Sequence, residues 1–307
     1  MTVKMMTPAS HEHWLALRDG CITSTAISAL FGLSPYVTRF ELYHAHANGI
    51  RLPFNGNDRV NKGSRMEAYA AQEVCLSQGW TGEPFKDFAY DADRRIGSSF
   101  DWRVNTPDGP ALLEIKGVDF FRHRKVWIDD QPPEHIVLQV LWQMELSGIR
   151  KAYVAAFTSI YDYQLYPIEY DPETIRILLD ETKRFWDDVD NRREPDPDFT
   201  RDEDVITALY KGDGDEVDMS SDAEFGDLVS EWERWKSAEK QASERVSALK
   251  AELHFRMGEA SAAYTDSYRI SAKRTKDTPD RVAEPGEIIK GRRGYRRLDV
   301  KDLLRQE

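Results

Sequence analysis

The order of apolar segments between residues 95 and 168 constrains the fold of this chain more than any other feature. Two strand-like segments are separated by a turn-forming cluster, Asn105 to Pro110, and are followed by a helical segment and two more strand-like segments. Strands and helices in this order predict an α/β layered fold. The predicted strands are 95–104, 111–118, 151–158 and 161–168, and the predicted helix between the second and third is 135–147.

Helices are predicted on both sides of this block from apolar residues that recur every three or four positions. The clearest apolar stripe lies in 63–78. The hydroxyls of Thr23, Ser24 and Thr25 are placed to cap a short helix that follows them. Residues 80–90 are predicted to be extended. The other predicted helices are 11–18, 40–48, 172–190 and 223–257.

Changes in composition divide the chain into three predicted parts. Residues 1–195 hold the α/β layer, and a run rich in Pro and Asp, Arg193–Asp198, leads into a linker over 196–222. Residues 223–307 form an appendage with a long charged helix and a small basic β-hairpin, 267–273 with 294–300. We predict that this helix packs on the body or makes an oligomer contact.

Composition excludes several classes of protein and site. Two cysteines, Cys21 and Cys75, are too few for a disulfide framework or a four-cysteine zinc or iron–sulfur site, and they favour a reducing cytoplasm. No apolar run is long enough to span a bilayer, and the first residues lack the apolar segment of a signal peptide. The net charge of −12 disfavours a pure DNA-binding protein, but residues 269–307 carry 12 Lys and Arg against 7 Asp and Glu.

Asp101, Glu114 and Lys116 are the main candidates for chemistry. Residues two apart in a strand face the same side, so Glu114 and Lys116 project together, and Asp101 on the preceding strand can lie beside them. Two carboxylates supply hard oxygen ligands for Mg²⁺, and a lysine can orient water or stabilise negative charge during phosphodiester hydrolysis. A Glu-x-Lys triplet is also a common solvated ion pair, so this interpretation depends on its context.

Two helices supply that context. Glu67, early in the 63–78 helix, could reach the same metal, although a carboxylate near a helix N-terminus is also favoured by the helix dipole. Gln139 and Gln143 lie four residues apart and therefore share one face of a largely apolar helix. A polar pair on an otherwise buried helix face is notable, because each amide would need a partner there.

Six motifs in a fixed order make the interpretation more specific. They are Arg18-Asp19-Gly20-Cys21-Ile22-Thr23-Ser24-Thr25, Gly32-Leu33-Ser34-Pro35-Tyr36, Gly63-Ser64-Arg65-Met66-Glu67, Gly97-Ser98-Ser99-Phe100-Asp101, Leu113-Glu114-Ile115-Lys116 and Gln139-Val140-Leu141-Trp142-Gln143-Met144. The series resembles the phage lambda exonuclease, or YqaJ-like viral recombinase, branch of the PD-(D/E)xK nucleases. The resemblance extends over roughly residues 10 to 190.

The resemblance implies a restriction-endonuclease-like core, in which helices flank a mixed central sheet. It implies that Mg²⁺, with Mn²⁺ as a substitute, is held by Glu67, Asp101, Glu114 and the carbonyl of Ile115. It further implies that Lys116 is the catalytic lysine and that Gln139 completes the site. The residues that match those binding the 5′-phosphate of a DNA end are Arg18, Thr25 and Ser99.

The implied function is a 5′–3′ exonuclease that digests one strand of linear duplex DNA during phage or prophage recombination. The implied partners are a single-strand annealing protein and further copies of the chain, in some relatives a ring-shaped trimer. Two motifs depart from the family pattern, since Phe100 and Trp102 flank Asp101 and Gly117-Val118 follows Lys116. An endonuclease of the same fold and a catalytically silent DNA-binding protein remain as alternatives.

Overall fold

A computed structural model describes residues 3–52, 58–119, 123, 126–127, 131–159, 162–212, 214, 216–277, 281–282, 288–289 and 299–302. For 58–65 and for the segments after residue 277, it describes the backbone alone. The helices are α1 His11–Asp19, α2 Arg39–Ala47, α3 Asp58–Gln78, α4 Glu134–Ser147, α5 Pro172–Asp190, α6 Glu203–Leu209 and α7 Ala223–Met257, with a 3₁₀ helix at Ile27–Phe31. The strands are β1 Lys4–Met6, β2 Ile22–Thr23, β3 Thr81–Pro84, β4 Phe88–Asp91, β5 Ile96–Ser98, β6 Trp102–Thr106, β7 Gly109–Gly117, β8 Lys151–Phe157, β9 Tyr163–Glu169, β10 Ala262–Tyr264, β11 Tyr268–Ser271, β12 Arg281–Val282, β13 Ile288–Ile289 and β14 Asp299–Asp302.

The larger sheet has five strands in the order β3-β6-β7-β8-β9. β6 and β7 form an antiparallel hairpin in which Trp102 lies opposite Leu113. β7 and β8 are parallel, with Glu114 opposite Val154, because α4 connects them as a crossover helix. β9 returns antiparallel to β8. The fold is therefore mixed α/β, as the order of segments predicted.

The prediction of one continuous strand over 95–104 is wrong. The segment is divided between two sheets, because β5 belongs to a four-stranded sheet of order β1-β4-β5-β2 and β6 belongs to the larger sheet. The break lies at Ser99–Asp101. Phe100 is buried in one hydrophobic core and stacks on Phe85 at 4.4 Å between ring centroids, while Trp102 is buried in the other core. The chain changes sheets because these two aromatic side chains are buried in different cores.

The expected N-cap by Thr23, Ser24 or Thr25 is also wrong. The helix that follows is a single 3₁₀ segment, and Ala26 precedes it without a side-chain capping bond. Gly32 ends the segment at φ 69°, a conformation that glycine adopts without the steric cost of a Cβ. The hydroxyls of Thr23 and Thr25 instead form a hydrogen bond with each other at 3.1 Å.

The two faces of β7 contact different hydrophobic cores. Leu112 belongs to the larger core, to which α4 and α5 also contribute, whereas Leu113 packs in a smaller core with Val74 of α3. Ile115 packs against the smaller core, as its alternation with Glu114 predicts. Glu114 therefore points to the side of the sheet on which α4 lies.

The chain divides into two compact units at residues 213 and 214. Residues 196–213, which the sequence assigned to a linker, belong to the first unit. Asp202 is fully buried there and accepts hydrogen bonds from the Thr38 hydroxyl at 2.5 Å and from the Asp198 N–H at 2.7 Å. Arg201 donates to the carbonyl of Ser34 at 2.9 Å. These contacts attach α6 and the segment before it to the start of α2.

The second unit contains α7 and short strands. β10, β11 and β14 form an antiparallel sheet in which Ile270 lies opposite Val300, and β12 pairs with β13. The first predicted hairpin strand, 267–273, is confirmed as β11. Residues 294–298 of the second predicted strand lie outside the described residues, and β14 begins at Asp299. No helix within the described ranges combines the length and apolarity needed to cross a membrane.

Candidate active site

Glu114 lies at the centre of a buried polar cluster. Its side chain is 4% exposed and its two oxygens accept three hydrogen bonds. Oε1 accepts from Lys116 Nζ at 2.7 Å and from Gln139 Nε2 at 2.6 Å, and Oε2 accepts from Gln143 Nε2 at 2.8 Å. The strand period predicted that Glu114 and Lys116 share a face, and the helix period predicted the same of Gln139 and Gln143. In the structure all four side chains meet in this cluster.

Lys116 is positioned by two acceptors. Its Nζ also donates to Gln139 Oε1 at 3.1 Å. Burial acts to lower the pKa of Lys116, but the negative charges of Glu114 and Asp101 outweigh that effect and raise the pKa above its usual value. In this arrangement Lys116 is a cation beside two carboxylates, and a cation there can stabilise negative charge.

Asp101 lies beside Glu114 at the point where the chain passes between sheets. Its Oδ2 accepts the backbone N–H of Ile115 at 2.8 Å, which fixes the carboxylate against β7. Burial, followed by the charges of Glu114 and Glu67, raises the pKa of Asp101 well above its usual value. Burial and the charge of Glu114 likewise raise the pKa of Glu67 on α3. The three predicted carboxylates thus share one electrostatic environment, in which Lys116 is a cation.

The chemistry of this donor set fits a hard divalent cation. Carboxylate oxygens are the ligands that Mg²⁺ prefers, and a bound cation would offset both the burial and the mutual repulsion that raise the pKa values of Asp101 and Glu67. However, no group of three or more His, Cys, Asp or Glu among the described side chains is arranged to hold a metal. Glu114 would have to exchange hydrogen bonds with Lys116, Gln139 or Gln143 for a metal contact.

A second polar cluster contains Arg18, Thr25 and Ser99. Arg18 Nη2 donates to Thr25 Oγ1 at 3.3 Å. The guanidinium of Arg18 lies 4.4 Å from the ring centroid of Trp14, and Trp14 Nε1 donates to Ser99 Oγ at 2.8 Å. Among the described residues Arg18 forms no salt bridge, so its charge is available to an anion. Trp14 was not predicted to be a site residue. Its position four residues before Arg18, which puts both on the same helix face, is the signal that could have identified it.

Gln143 connects the two clusters. Its Nε2 donates both to Glu114 Oε2 at 2.8 Å and to the backbone carbonyl of Ser99 at 3.2 Å. The sequence identified Gln143 only as a polar residue on a buried helix face. It gave no means of placing Ser99 beside α4, because that contact joins residues 44 positions apart. The carboxylate cluster and the Arg18 cluster are therefore one continuous polar site.

The aromatic neighbours of Asp101, which depart from the family pattern, have a structural role. Phe100 is 7% exposed and Trp102 is 5% exposed, and they are buried on opposite sides of the chain at Asp101. Their burial holds the backbone on both sides of the carboxylate, a function that a tight turn would otherwise serve.

Comparison with known proteins agrees with the order of motifs. Residues 13–150 match the YqaJ-like viral recombinase domain, which confirms the resemblance over that stretch. A protein of Bacillus subtilis (strain 168), the uncharacterized protein YqaJ, is 21% identical over 305 residues, covering 96% of this chain and 95% of that protein. The similarity therefore extends through the second unit.

Two solved structures are similar to part of this chain. An alkaline exonuclease (LHK-Exo) from Laribacter hongkongensis has 18% identity and a TM-score of 0.49, covering 59% of this chain and 93% of that one. A phage related exonuclease from Haemophilus somnus 129PT has 16% identity and a TM-score of 0.40, covering 60% of this chain and 90% of that one.

Proposed function

We propose that this chain, whose residues 13–150 match the YqaJ-like viral recombinase domain, is a metal-dependent nuclease that digests one strand of linear duplex DNA from the 5′ end. One observation carries the proposal. Gln143 donates to both the Glu114 carboxylate and the Ser99 carbonyl, so a chain of hydrogen bonds connects the carboxylate cluster to the anion-binding cluster. The first unit would have a restriction-endonuclease-like core, and the second would be an appendage to it.

The carboxylates of Glu67, Asp101 and Glu114 and the carbonyl of Ile115 would hold Mg²⁺ or Mn²⁺. Such an ion polarises a phosphodiester and lowers the pKa of a bound water. Lys116, kept cationic by Glu114 and Asp101, stabilises negative charge that develops on the phosphate. Gln139 positions Lys116 and Glu114, because its amide oxygen accepts from Lys116 and its amide nitrogen donates to Glu114.

The Arg18 cluster binds a terminal 5′-phosphate in this proposal. Arg18 supplies a guanidinium that is free of ion pairs within the described part of the chain, and Thr25 and Ser99 supply hydroxyls. An enzyme that selects a terminal phosphate monoester beside its hydrolytic site acts at DNA ends. This arrangement favours an exonuclease over an endonuclease, and the presence of Asp101, Glu114 and Lys116 disfavours a catalytically silent DNA-binding protein.

A single-strand annealing protein and further copies of this chain, as a homo-oligomer, remain the predicted partners.

The test compares three duplexes, with 5′-phosphate ends, with 5′-hydroxyl ends and with closed-circular strands, each in Mg²⁺ and in EDTA. We expect fast digestion of the phosphorylated linear duplex, slower digestion of the hydroxyl duplex, and none of the circle or in EDTA. Cleavage of the circle at a comparable rate would support the endonuclease instead.

A matched pair of variants separates catalysis from folding. Lys116→Ala should abolish digestion while thermal unfolding stays cooperative, because the removed amine lies at the hydrolytic cluster. Lys151→Ala removes another β-strand lysine, whose partner Asp108 is in the β6–β7 turn, and should retain activity. Undiminished digestion by Lys116→Ala would contradict the assignment of the site.

A further inference from the structure

The long helix α7 exposes large apolar side chains on one face between Phe225 and Leu249. It spans 35 residues, and none of them is buried. Its large apolar side chains are well exposed, among them Trp232 at 58%, Trp235 at 63% and Val246 at 63%. Exposed aromatic and aliphatic residues on one helix face mark a surface that packs against another element.

The stripe follows a heptad repeat. Apolar residues recur alternately three and four positions apart, which is the pattern of a two-stranded coiled coil. Eight of the ten core positions are apolar, and the repeat continues for more than four heptads. The a positions are Phe225, Trp232, Glu239, Val246 and Leu253, and the d positions are Leu228, Trp235, Ala242, Leu249 and Arg256.

We propose that α7 pairs antiparallel with the α7 of a second copy of this chain. The inference concerns α7 alone and does not depend on the proposed function. In an antiparallel pair centred between residues 240 and 241, both tryptophans of each helix face smaller aliphatic residues of the other. Trp232 faces Leu249 of the second copy, and Trp235 faces Val246 of the second copy. No layer then holds two tryptophans, which favours close packing along the pair.

The central layers distinguish this pairing from a parallel one. In the antiparallel pair, Glu239 faces Ala242 of the second copy, so the carboxylate has space to reach solvent. In a parallel pair, each Glu239 would face Glu239 of the second copy in the core. Trp232 and Trp235 would likewise face their own counterparts, and the two small Ala242 side chains would leave a gap further along the helix. Two facing carboxylates and uneven layer volumes are both destabilising.

The charged residues that flank the core are compatible with the antiparallel register. Glu231 lies near Glu252 of the second copy, but each is paired within its own helix. Glu252 accepts from Arg256 at 2.6 Å, and Glu231 accepts from Arg234 at 3.5 Å. In the terminal layer the aliphatic part of Arg256 can cover Phe225 while its guanidinium stays in water.

The exposed stripe is large enough for a stable pair. Phe225, Trp232 and Trp235 are 44%, 58% and 63% exposed. At about 200 Å² for a buried aromatic side chain, these three alone offer about 300 Å² per helix. Leu228, Val246 and Leu249, each at least 41% exposed, extend the contact along the helix. A pair would therefore reach the total of about 1,000 Å² that distinguishes specific interfaces.

The first test measures the mass of the full chain in solution by light scattering. Leu249→Glu places a charge in the proposed core and should halve the mass. Ser237→Glu adds the same charge on the opposite face of α7 and should leave the mass unchanged. A monomeric wild-type chain would overturn the proposal, and so would a mass that Leu249→Glu leaves unchanged. Either result would mean that the stripe is covered by another part of this chain or by a different protein.

The second test determines whether the two α7 helices are antiparallel or parallel, and it changes only the central core positions. The single variants Glu239→Cys and Ala242→Cys, and the double variant, are oxidised and examined without reducing agent. The antiparallel pair predicts covalent dimers from the double variant and none from either single variant, because residue 239 faces residue 242. Covalent dimers of Ala242→Cys alone would show a parallel pair and overturn the orientation. The wild-type chain, whose Cys21 and Cys75 are buried, is the control.

Discussion

Trp14 illustrates how one side chain can set the direction of another. An indole N–H can only donate, so the Ser99 hydroxyl must accept the 2.8 Å bond and direct its own hydrogen elsewhere. Thr25 Oγ1 similarly accepts from Arg18. The Ser99 hydroxyl is thereby left to donate, which is the polarity that an anion requires, whereas the Thr25 hydroxyl also has Thr23 Oγ1 at 3.1 Å.

Replacing Trp14 by Phe should weaken discrimination between DNA ends. Trp14→Phe keeps an aromatic ring beneath Arg18 but removes the donor to Ser99. Because a positioned hydrogen bond contributes about 1 kcal/mol, the rate ratio for 5′-phosphate over 5′-hydroxyl duplex should fall by about fivefold. Trp80→Phe is the control, since Trp80 packs on Tyr153 at 4.7 Å between ring centroids. An unchanged ratio would show that Trp14 only supports the fold.

His46 should make the folded state sensitive to acid. Its ring packs edge-on against Trp186 at 4.7 Å, and burial, followed by the positive charge of Arg51, lowers its pKa to about 4. The unfolded side chain binds a proton near pH 6.5, so the stability that neutral His46 provides is present above pH 6.5 and is lost as the pH falls towards 4.

A His46→Leu variant measures this contribution. Between pH 7 and pH 5, the free energy of unfolding of the wild type should fall by about 2 kcal/mol more than that of the variant. Urea unfolding curves at both pH values give the two differences. Equal losses in the two proteins would show that His46 titrates normally in the folded state.

At the scale of elements, β5 positions Ser98 and Ser99 between the two sheets. Gly97 in this strand has no space for a side chain, because an added Cβ would lie 2.6 Å from Phe88 Cζ and 2.7 Å from Cys21 Sγ. Phe88 is 1% exposed and Cys21 is 2% exposed, so neither can move into solvent. The close approach of β5 to β2 and β4 therefore depends on glycine.

Gly97→Ala should lower the free energy of unfolding by about 1–3 kcal/mol, the usual cost of overpacking a core. Gly117→Ala is the matched control, because an added Cβ at the end of β7 meets nothing within 4 Å. Chemical denaturation of both variants tests the prediction. If the two variants are equally stable, the neighbours of Gly97 can rearrange at little cost.

At the scale of the whole molecule, the boundary of the first unit lies at residue 213 rather than 195. Asp202 and Val205 are buried, at 0% and 2% exposed, so the segment after residue 195 contributes to the core of this unit. Removing it would leave Thr38 without its buried acceptor and Ser34 without the Arg201 contact.

Two truncated chains test this boundary. A chain ending at residue 213 should unfold cooperatively, and one ending at residue 195 should have a melting temperature lower by about 5 °C or more, since it loses a buried hydrogen bond and apolar contacts. Calorimetry gives both values. Equal melting temperatures would show that α6 is only loosely attached.

The sequence by itself determined the features that depend on local periodicity. The alternation of Glu114, Ile115 and Lys116 and the four-residue spacing of Gln139 and Gln143 predicted which side chains share a face, and α5 and α7 have the predicted bounds. These features follow from the geometry of a single strand or helix, which the spacing of residues along the chain fixes.

The tertiary structure alone decided what joins those faces. It divided the predicted strand 95–104 between two sheets, attached α6 to the first unit, and placed Trp14 and Gln143 against Ser99. Each of these features depends on contacts between residues far apart in sequence, such as Thr38 with Asp202 or Ser99 with Gln143. Local patterns carry no information about such contacts, because the burial of Phe100 and Trp102 in separate cores arises only when the sheets pack.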